Sequence, residues 1–296
     1  MKELAESHLK SNEVERFQKL LEKSLDQLSA SLPSLDLKSS RKHIHDLRIL
    51  SRRLRAFSGV LVYIEKNEET AFFHKSLRDL TRILGAVRSC DVSHKIFKEK
   101  LDAELSKKAK ELYFVEEYFQ KERKKLRSQL LKDVAKYRLL KLTRIEFRRK
   151  LDVRLEVESF KKAIERRVRK ASMNLLKSWR YFCHKTTLSR LHEVRIDLKK
   201  WRYLLELKEE CLGANLKNVL EPLRKLQEHL GDIHDLEVLL NYLGKRPCQR
   251  IAAKKKLKKE WADFLAHIES EIERKVTDFY NEGEHYLVQL LPMRSL

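Results

Sequence analysis

The sequence predicts an all-α protein, a helical bundle built from two related halves, on three observations. Helix breakers are scarce: 6 Gly and 4 Pro occur in 296 residues, and none of either falls between Gly85 and Gly213. Strands need frequent turn residues, so a stretch that long without them reads as helix. Apolar residues recur at helical spacing, as in Leu9, Val14, Phe17, Leu20, Leu21, Leu25 and Leu28. Two sequence motifs also occur twice, in the same order and at nearly the same offset, which points to internal duplication.

In chain order, the periodicity predicts helices over about Leu4–Ala30, Arg41–Ile64, Thr70–Leu105 and Lys108–Tyr137, with Pro33 in the break after the first. A charged stretch from Lys141 leads into helices ending near His184. The closing set is Ser189–Cys211, Leu216–Leu243 and Ile251–Phe279, then a short C-terminal helix. Gly213 and the Gly244–Pro247 segment stand where helices should stop. Residues 1–296 read as a single domain, with halves 5–150 and 151–291 meeting somewhere between Lys141 and Ser189.

Composition bounds the function. Hydrophobic residues make up 42%, enough for a packed core and too many for a disordered polyelectrolyte. Lys and Arg total 66 against 44 Asp and Glu, a formal net charge of +22. Charge so far from zero repels itself unless a counterion answers it, which points to nucleic acid, an anionic membrane or another polyanion. Cys90, Cys183, Cys211 and Cys248 form no metal spacing and read as reduced core thiols. The segment MKELAESHLK has no signal-peptide core, and no apolar run approaches the roughly 20 residues that span a bilayer. The expectation is a cytoplasmic protein without membrane partners.

The first repeated motif reads His45-Asp-Leu-Arg48-Ile-Leu-Ser-Arg52-Arg53-Leu-Arg55 and returns as His192-Glu-Val-Arg195-Ile-Asp-Leu-Lys199-Lys200-Trp-Arg202, offset by 192 − 45 = 147. The second runs from Leu77 to Gly85 and from Leu223 to Gly231, offset by 231 − 85 = 146. On a helix, positions i, i+3, i+7 and i+10 fall within an arc of roughly 80°. His45, Arg48, Arg52 and Arg55 hold these places in one copy; His192, Arg195, Lys199 and Arg202 hold them in the other. Leu47, Leu50, Leu54, Phe57 and Leu61 form the opposing apolar stripe, matched by Val194, Trp201, Leu204 and Leu205. The apolar face must pack inward, which turns the basic stripe outward or into a groove. Few acids lie within one turn of it, and the forked donors of arginine suit phosphate oxygens. Arg78, Arg82 and Arg88 continue this face on the next helix, around Gly85. A glycine inside a helix costs about 1 kcal/mol relative to alanine, so Gly85 should mark a close approach of a neighbour or ligand. The second copy is weaker: Arg224 persists, but Glu228 and His234 replace Arg82 and Arg88.

These residues resemble the CHAD family, the conserved histidine α-helical domain, from about Glu6 to Leu291. The family pattern H-x-x-R-x-x-x-[KR]-[KR]-x-R is carried by His45–Arg55 and by His192–Arg202, the second followed by Tyr203 and Glu206. Its L-G-x-x-R-D-x-D-V segment is matched by Leu84-Gly85-Ala-Val-Arg88-Ser89-Cys-Asp91-Val92 and by Leu230-Gly231-Asp-Ile-His234-Asp235-Leu-Glu237-Val238. Ser89 departs from the expected Asp, and His234 stands where Asn is common. The resemblance implies two four-helix bundles about a pseudo-twofold axis, with a basic channel that binds inorganic polyphosphate without catalysis or cofactor. The expected ligands are His45, Arg48, Arg52, Arg53, Arg55, Arg78, Arg82, Arg88, His192, Arg195, Lys199, Lys200, Arg202 and Arg224. It also implies a separate polyphosphate- or triphosphate-processing enzyme as a partner and leaves association with polyphosphate granules open.

Many such domains are fused to a triphosphatase of the CYTH type, whose E-x-E-x-K signature Glu271-Ile-Glu273-Arg-Lys275 matches. The flanking apolar residues are helical in spacing. On a helix the two carboxylates point about 200° apart, so the match is by chance. Non-specific nucleic-acid binding is the alternative, though no zinc-finger spacing, RNP signature or aromatic interleaving supports base reading. A metal-dependent phosphohydrolase is the enzyme-class rival. No two of the eleven histidines lie three or four residues apart, so ligands would have to converge from different helices, His45 and His192 being one pair. The clusters Lys254–Lys259 and Arg144, Arg148, Arg149, Lys150 read as solvated faces or as extensions of the anion track.

Overall fold

The computed structural model describes residues 2–104, 113–136, 157–252 and 258–290. Among these residues it contains nine α-helices and no strand: α1 (Lys2–Ser31), α2 (Arg41–Glu65), α3 (Glu68–Glu104), α4 (Tyr113–Lys136), α5 (Val157–His184), α6 (Leu188–Leu212), α7 (Lys217–Leu243), α8 (Arg246–Ala252) and α9 (Lys258–Leu290). The cluster Arg144, Arg148, Arg149, Lys150, most of the Lys254–Lys259 run and the expected junction up to residue 156 lie outside the described residues.

The two motif helices are bounded by matching chemistry. Ser40 caps α2 by accepting from the His43 N–H at 3.0 Å, and Thr187 caps α6 by accepting from the Arg190 N–H at 3.4 Å. Each ends on a left-handed residue, Lys66 at φ 46° and Gly213 at φ 68°. Asn67 then turns the chain into α3, its side-chain oxygen accepting from the Thr70 N–H at 2.8 Å. That short connection lays α3 back along α2.

The apolar stripes are buried as their spacing predicts: Leu47, Leu54, Phe57 and Leu61 in α2, and Val194, Trp201, Leu204 and Leu205 in α6. The core is one continuous cluster reaching from α1 to α9. Phe17 of α1 meets both Phe57 of α2 at 5.2 Å and Phe160 of α5 at 4.9 Å between ring centroids. Phe97 of α3 meets Phe264 of α9 edge-on at 6.0 Å, and Phe119 of α4 meets Tyr242 of α7 at 5.5 Å. Rings at these separations favour tilted and edge-on geometry.

Two expectations are corrected. The C-terminal region is one long helix, α9, where the sequence suggested a helix to Phe279 and a short separate one. Gly283 does not break it: the Trp179 ring lies where a Cβ would stand, 2.7 Å from that position, so the residue is glycine to admit the indole. The thiols are all free, but Cys183 is only half-buried while Cys90, Cys211 and Cys248 are enclosed. The Glu271-Ile-Glu273-Arg-Lys275 match lies within α9, as its periodicity predicts; Glu271 pairs with Lys100, and Lys275 with Asp232 at 3.3 Å. Among the described residues no helix is long and apolar enough to cross a membrane.

Candidate anion-binding site

Because α2 and α6 pack against each other, their basic stripes face a shared space. Two cavities occupy it, of about 630 and 460 Å³. They share Arg52, Ala56, Arg195, Lys199 and Tyr203 in their linings, so these side chains stand at the junction. His45, Arg48, Arg53, Arg88, Arg202 and Arg224 line the first cavity beside them, and Arg55 and Lys200 line the second. Eleven of the expected ligands thus line one cavity or the other. Three do not. Arg82 is exposed and lies 4.0 Å from Asp79 on its own helix, Arg78 is exposed, and His192 faces away toward α7.

Charges in the space are answered unevenly. Arg53 bonds Glu210 at 2.7 Å, and Arg88 bonds Asp235 at 3.3 Å. Arg202 donates to Glu206 and, at 2.7 Å, to Gln227, while its guanidinium lies 4.4 Å from the Tyr203 ring. Arg224 reaches the same Glu206 at 3.3 Å. By contrast, no carboxylate oxygen among the described residues lies within 4.0 Å of Arg48, Arg52, Arg55, Arg195 or Lys199. Arg195 is only 9% exposed, and the Nε atoms of Arg48, Arg55 and Arg195 are enclosed without a hydrogen-bond partner. Gly85 contributes to this packing. The Arg48 Nε lies 3.7 Å from where its Cβ would be, an ordinary contact and not the close approach expected from its place inside α3.

Burying basic groups side by side disfavours their charged forms. Burial, then the repulsion of Arg195, Arg52 and Arg48, pushes the Lys199 ammonium down to about 5. Burial and then Arg52 lower Arg48 to about 9, and burial lowers Arg195 to about 10. The guanidiniums therefore stay charged at neutral pH, whereas Lys199 is a neutral amine. Burial, followed by Arg88, also pulls His45 below the usual imidazole range.

The second cavity holds side chains that sequence reasoning missed. Arg167, Lys170 and His74 line it, and no acidic residue does. Burial followed by Arg55 and Arg167 lowers His74 to about 4, and burial also lowers Arg167. The sequence carried one signal for Arg167. Gly59 sits inside α2, and the Arg167 guanidinium fills the place its Cβ would take, at 2.5 Å.

His192 meets a histidine other than the expected His45. Its ring centroid lies 5.3 Å from that of His234, whose Nδ1 is 3.5 Å from the Glu237 carboxylate.

A family model described as the CHAD domain matches residues 19–244. A sequence comparison with curated proteins finds no match. Among solved structures, the CHAD domain from the plant Ricinus communis superposes with a TM-score of 0.64 at 19% identity, covering 93% of this chain and 91% of that one. At that identity the likeness shows the fold alone. The family model spans well over half of the residues, and the chain belongs to the CHAD domain family.

Proposed function

We propose that this protein binds inorganic polyphosphate, without catalysis, in the joined cavities between α2 and α6. The observation that carries the reading is the group Arg48, Arg52, Arg55, Arg195 and Lys199, enclosed together with no carboxylate partner among the described residues. Holding such groups together is costly, and an anion along them would relieve that cost with charge-assisted hydrogen bonds. The repeated motifs support a duplicated architecture, two bundles about a pseudo-twofold axis, in which each copy supplies one wall of a basic channel.

A bare phosphate chain suits the lining better than nucleic acid. Phe57 and Tyr203 are the aromatic residues lining the first cavity; Phe57 is buried in the core, and Tyr203 already stacks on Arg202. Bases would find no free stacking platform there. The composition suits a cytoplasmic protein, and a separate polyphosphate- or triphosphate-processing enzyme is the expected functional partner.

The test is a competition titration at one fixed salt concentration, because affinity for polyanions depends steeply on salt. Labelled long-chain polyphosphate is displaced with single-stranded RNA, duplex DNA and heparin. The expected result is a preference for polyphosphate of about a hundredfold or more at equal charge, some 2.7 kcal/mol. Even competition by nucleic acid would instead mark a general polyanion binder.

A further inference from the structure

We propose that His192, His234 and Glu237 form a binding site for a divalent first-row transition-metal ion of the zinc class. His192 opens the motif on α6, and His234 and Glu237 lie one turn apart on α7. One donor atom from each comes within 4.8 Å of the other two. Four-coordinate zinc with bonds of about 2.0–2.2 Å holds its donors roughly 3.3–3.6 Å apart. Side-chain rotation would have to close that difference.

One further observation favours an ion at this place. The Nδ1 of His234 is enclosed and lies 3.5 Å from the Glu237 carboxylate, too far for a well-formed hydrogen bond. A cation held between this nitrogen and the carboxylate would engage both. The basic groups facing the cluster are Arg195 and Lys199 on α6. Both, when charged, oppose a cation there, and the Glu237 carboxylate favours it.

The other motif copy serves as an internal control. At the repeat offsets, His192, His234 and Glu237 correspond to His45, Arg88 and Asp91. There Arg88 bonds Asp235, and Asp91 is surrounded by Arg123 at 2.7 Å, Arg127 at 3.6 Å and Arg41 at 4.0 Å. Guanidiniums answer the carboxylate in the first copy. In the second, no Arg or Lys nitrogen among the described residues lies within 4.0 Å of Glu237, and imidazoles stand in their place. Two nitrogens and one oxygen select transition metals over Mg²⁺ or Ca²⁺, which take oxygen ligands. Metal binding in this sense does not depend on the polyphosphate reading, although His234 lines the first cavity and a bound ion would add positive charge to its wall.

The test uses the metal-stripped full chain titrated with Zn²⁺ alone, followed by calorimetry and by metal analysis after dialysis. The expected result is one Zn²⁺ per chain, unaffected by excess Mg²⁺. Glu237→Gln, His234→Asn and His234→Arg should each weaken it at least tenfold, while His184→Asn, at an exposed position, should not. Circular dichroism of each variant guards against unfolding, and the near-isosteric Glu237→Gln decides the matter should a His234 variant fail to fold. No stoichiometric Zn²⁺ in the wild type, or equal binding in wild type and Glu237→Gln, overturns the proposal.

Discussion

The two motif helices place the same residue types at the same positions and then surround them differently. Arg55 of α2 has no carboxylate partner among the described residues, whereas its counterpart Arg202 of α6 is tied to Glu206 and Gln227. Arg88 on α3 bonds Asp235 on α7. The mate of that contact under the repeat would join His234 to Ser89, the two residues at which the sequence departs from the family pattern. The ion pair Arg88–Asp235 therefore has no counterpart at His234 and Ser89, since a serine carries no charge. A repeated sequence thus repeats position, while neighbours from other helices decide whether a cation is free to meet a ligand.

The largest effect expected falls on the junction, where the copies contribute equivalent residues. Arg52→Glu combined with Lys199→Glu should raise the polyphosphate Kd at least a hundredfold, since each charge-assisted contact is worth about 1.5–3 kcal/mol. Helicity should not change, because the new carboxylates would face Arg48 and Arg195. Unchanged binding in a titration would show that the ligand uses another face. If one single variant carried the whole loss, the copies would be functionally unequal.

A proton-linked effect comes next. Between about pH 5 and 10.5 the unfolded chain holds a proton on Lys199 that the folded chain lacks. Ligand-free stability should therefore rise with pH across that window, and low pH should cost stability. Lys199→Met removes this contribution, so it should stabilise the protein by about 1–3 kcal/mol at pH 6 and less at pH 9, read from urea unfolding. A polyanion restores the proton to Lys199 and favours the charged form of His45, so affinity should increase as pH falls from 8 to 6. Calorimetry in buffers of different ionisation enthalpy should show proton uptake on binding. A flat profile would separate the titrating groups from the ligand.

Smaller effects probe the surviving cross-contact and the paired glycines. A double-mutant cycle on Arg88→Ala and Asp235→Ala should give a coupling of about 0.5–1.5 kcal/mol, since both side chains are partly exposed. Gly231→Ala should stabilise α7 by about 0.5–1 kcal/mol, as nothing lies within 4 Å of the added Cβ. Gly85→Ala should gain about as much, its Cβ meeting Arg48 at an ordinary 3.7 Å. A thermal melt showing a loss at Gly85 alone would mean that Arg48 cannot yield.

What could be read in advance was local or periodic. The i, i+3, i+7 spacing located both stripes and their apolar opposites, and Ser40 and Thr187 stand where caps are needed. What could not be read depends on contacts far apart in the chain. Arg53 is neutralised by Glu210, 157 residues away, and Arg167 reaches the cavity only because Gly59 on another helix leaves room. The ring of Trp179 on α5 also takes the space that a side chain at Gly283 of α9 would need. The pairing of His192 with His234 likewise arises from the packing of α6 on α7, which no spacing along one helix encodes.

The linings of the two cavities differ in a way that gives the site a direction. Glu206, Glu209, Glu210, Glu228, Asp232 and Asp235 stand among the cations of the first cavity, and no acid stands in the second. The electrostatic potential must therefore climb from one end to the other, and an anion diffusing in from solvent is drawn more strongly to the carboxylate-free mouth. A linear phosphate chain has identical ends and no head or tail of its own. On the polyphosphate reading, any sense of direction in how the ligand lies would have to be supplied by the protein.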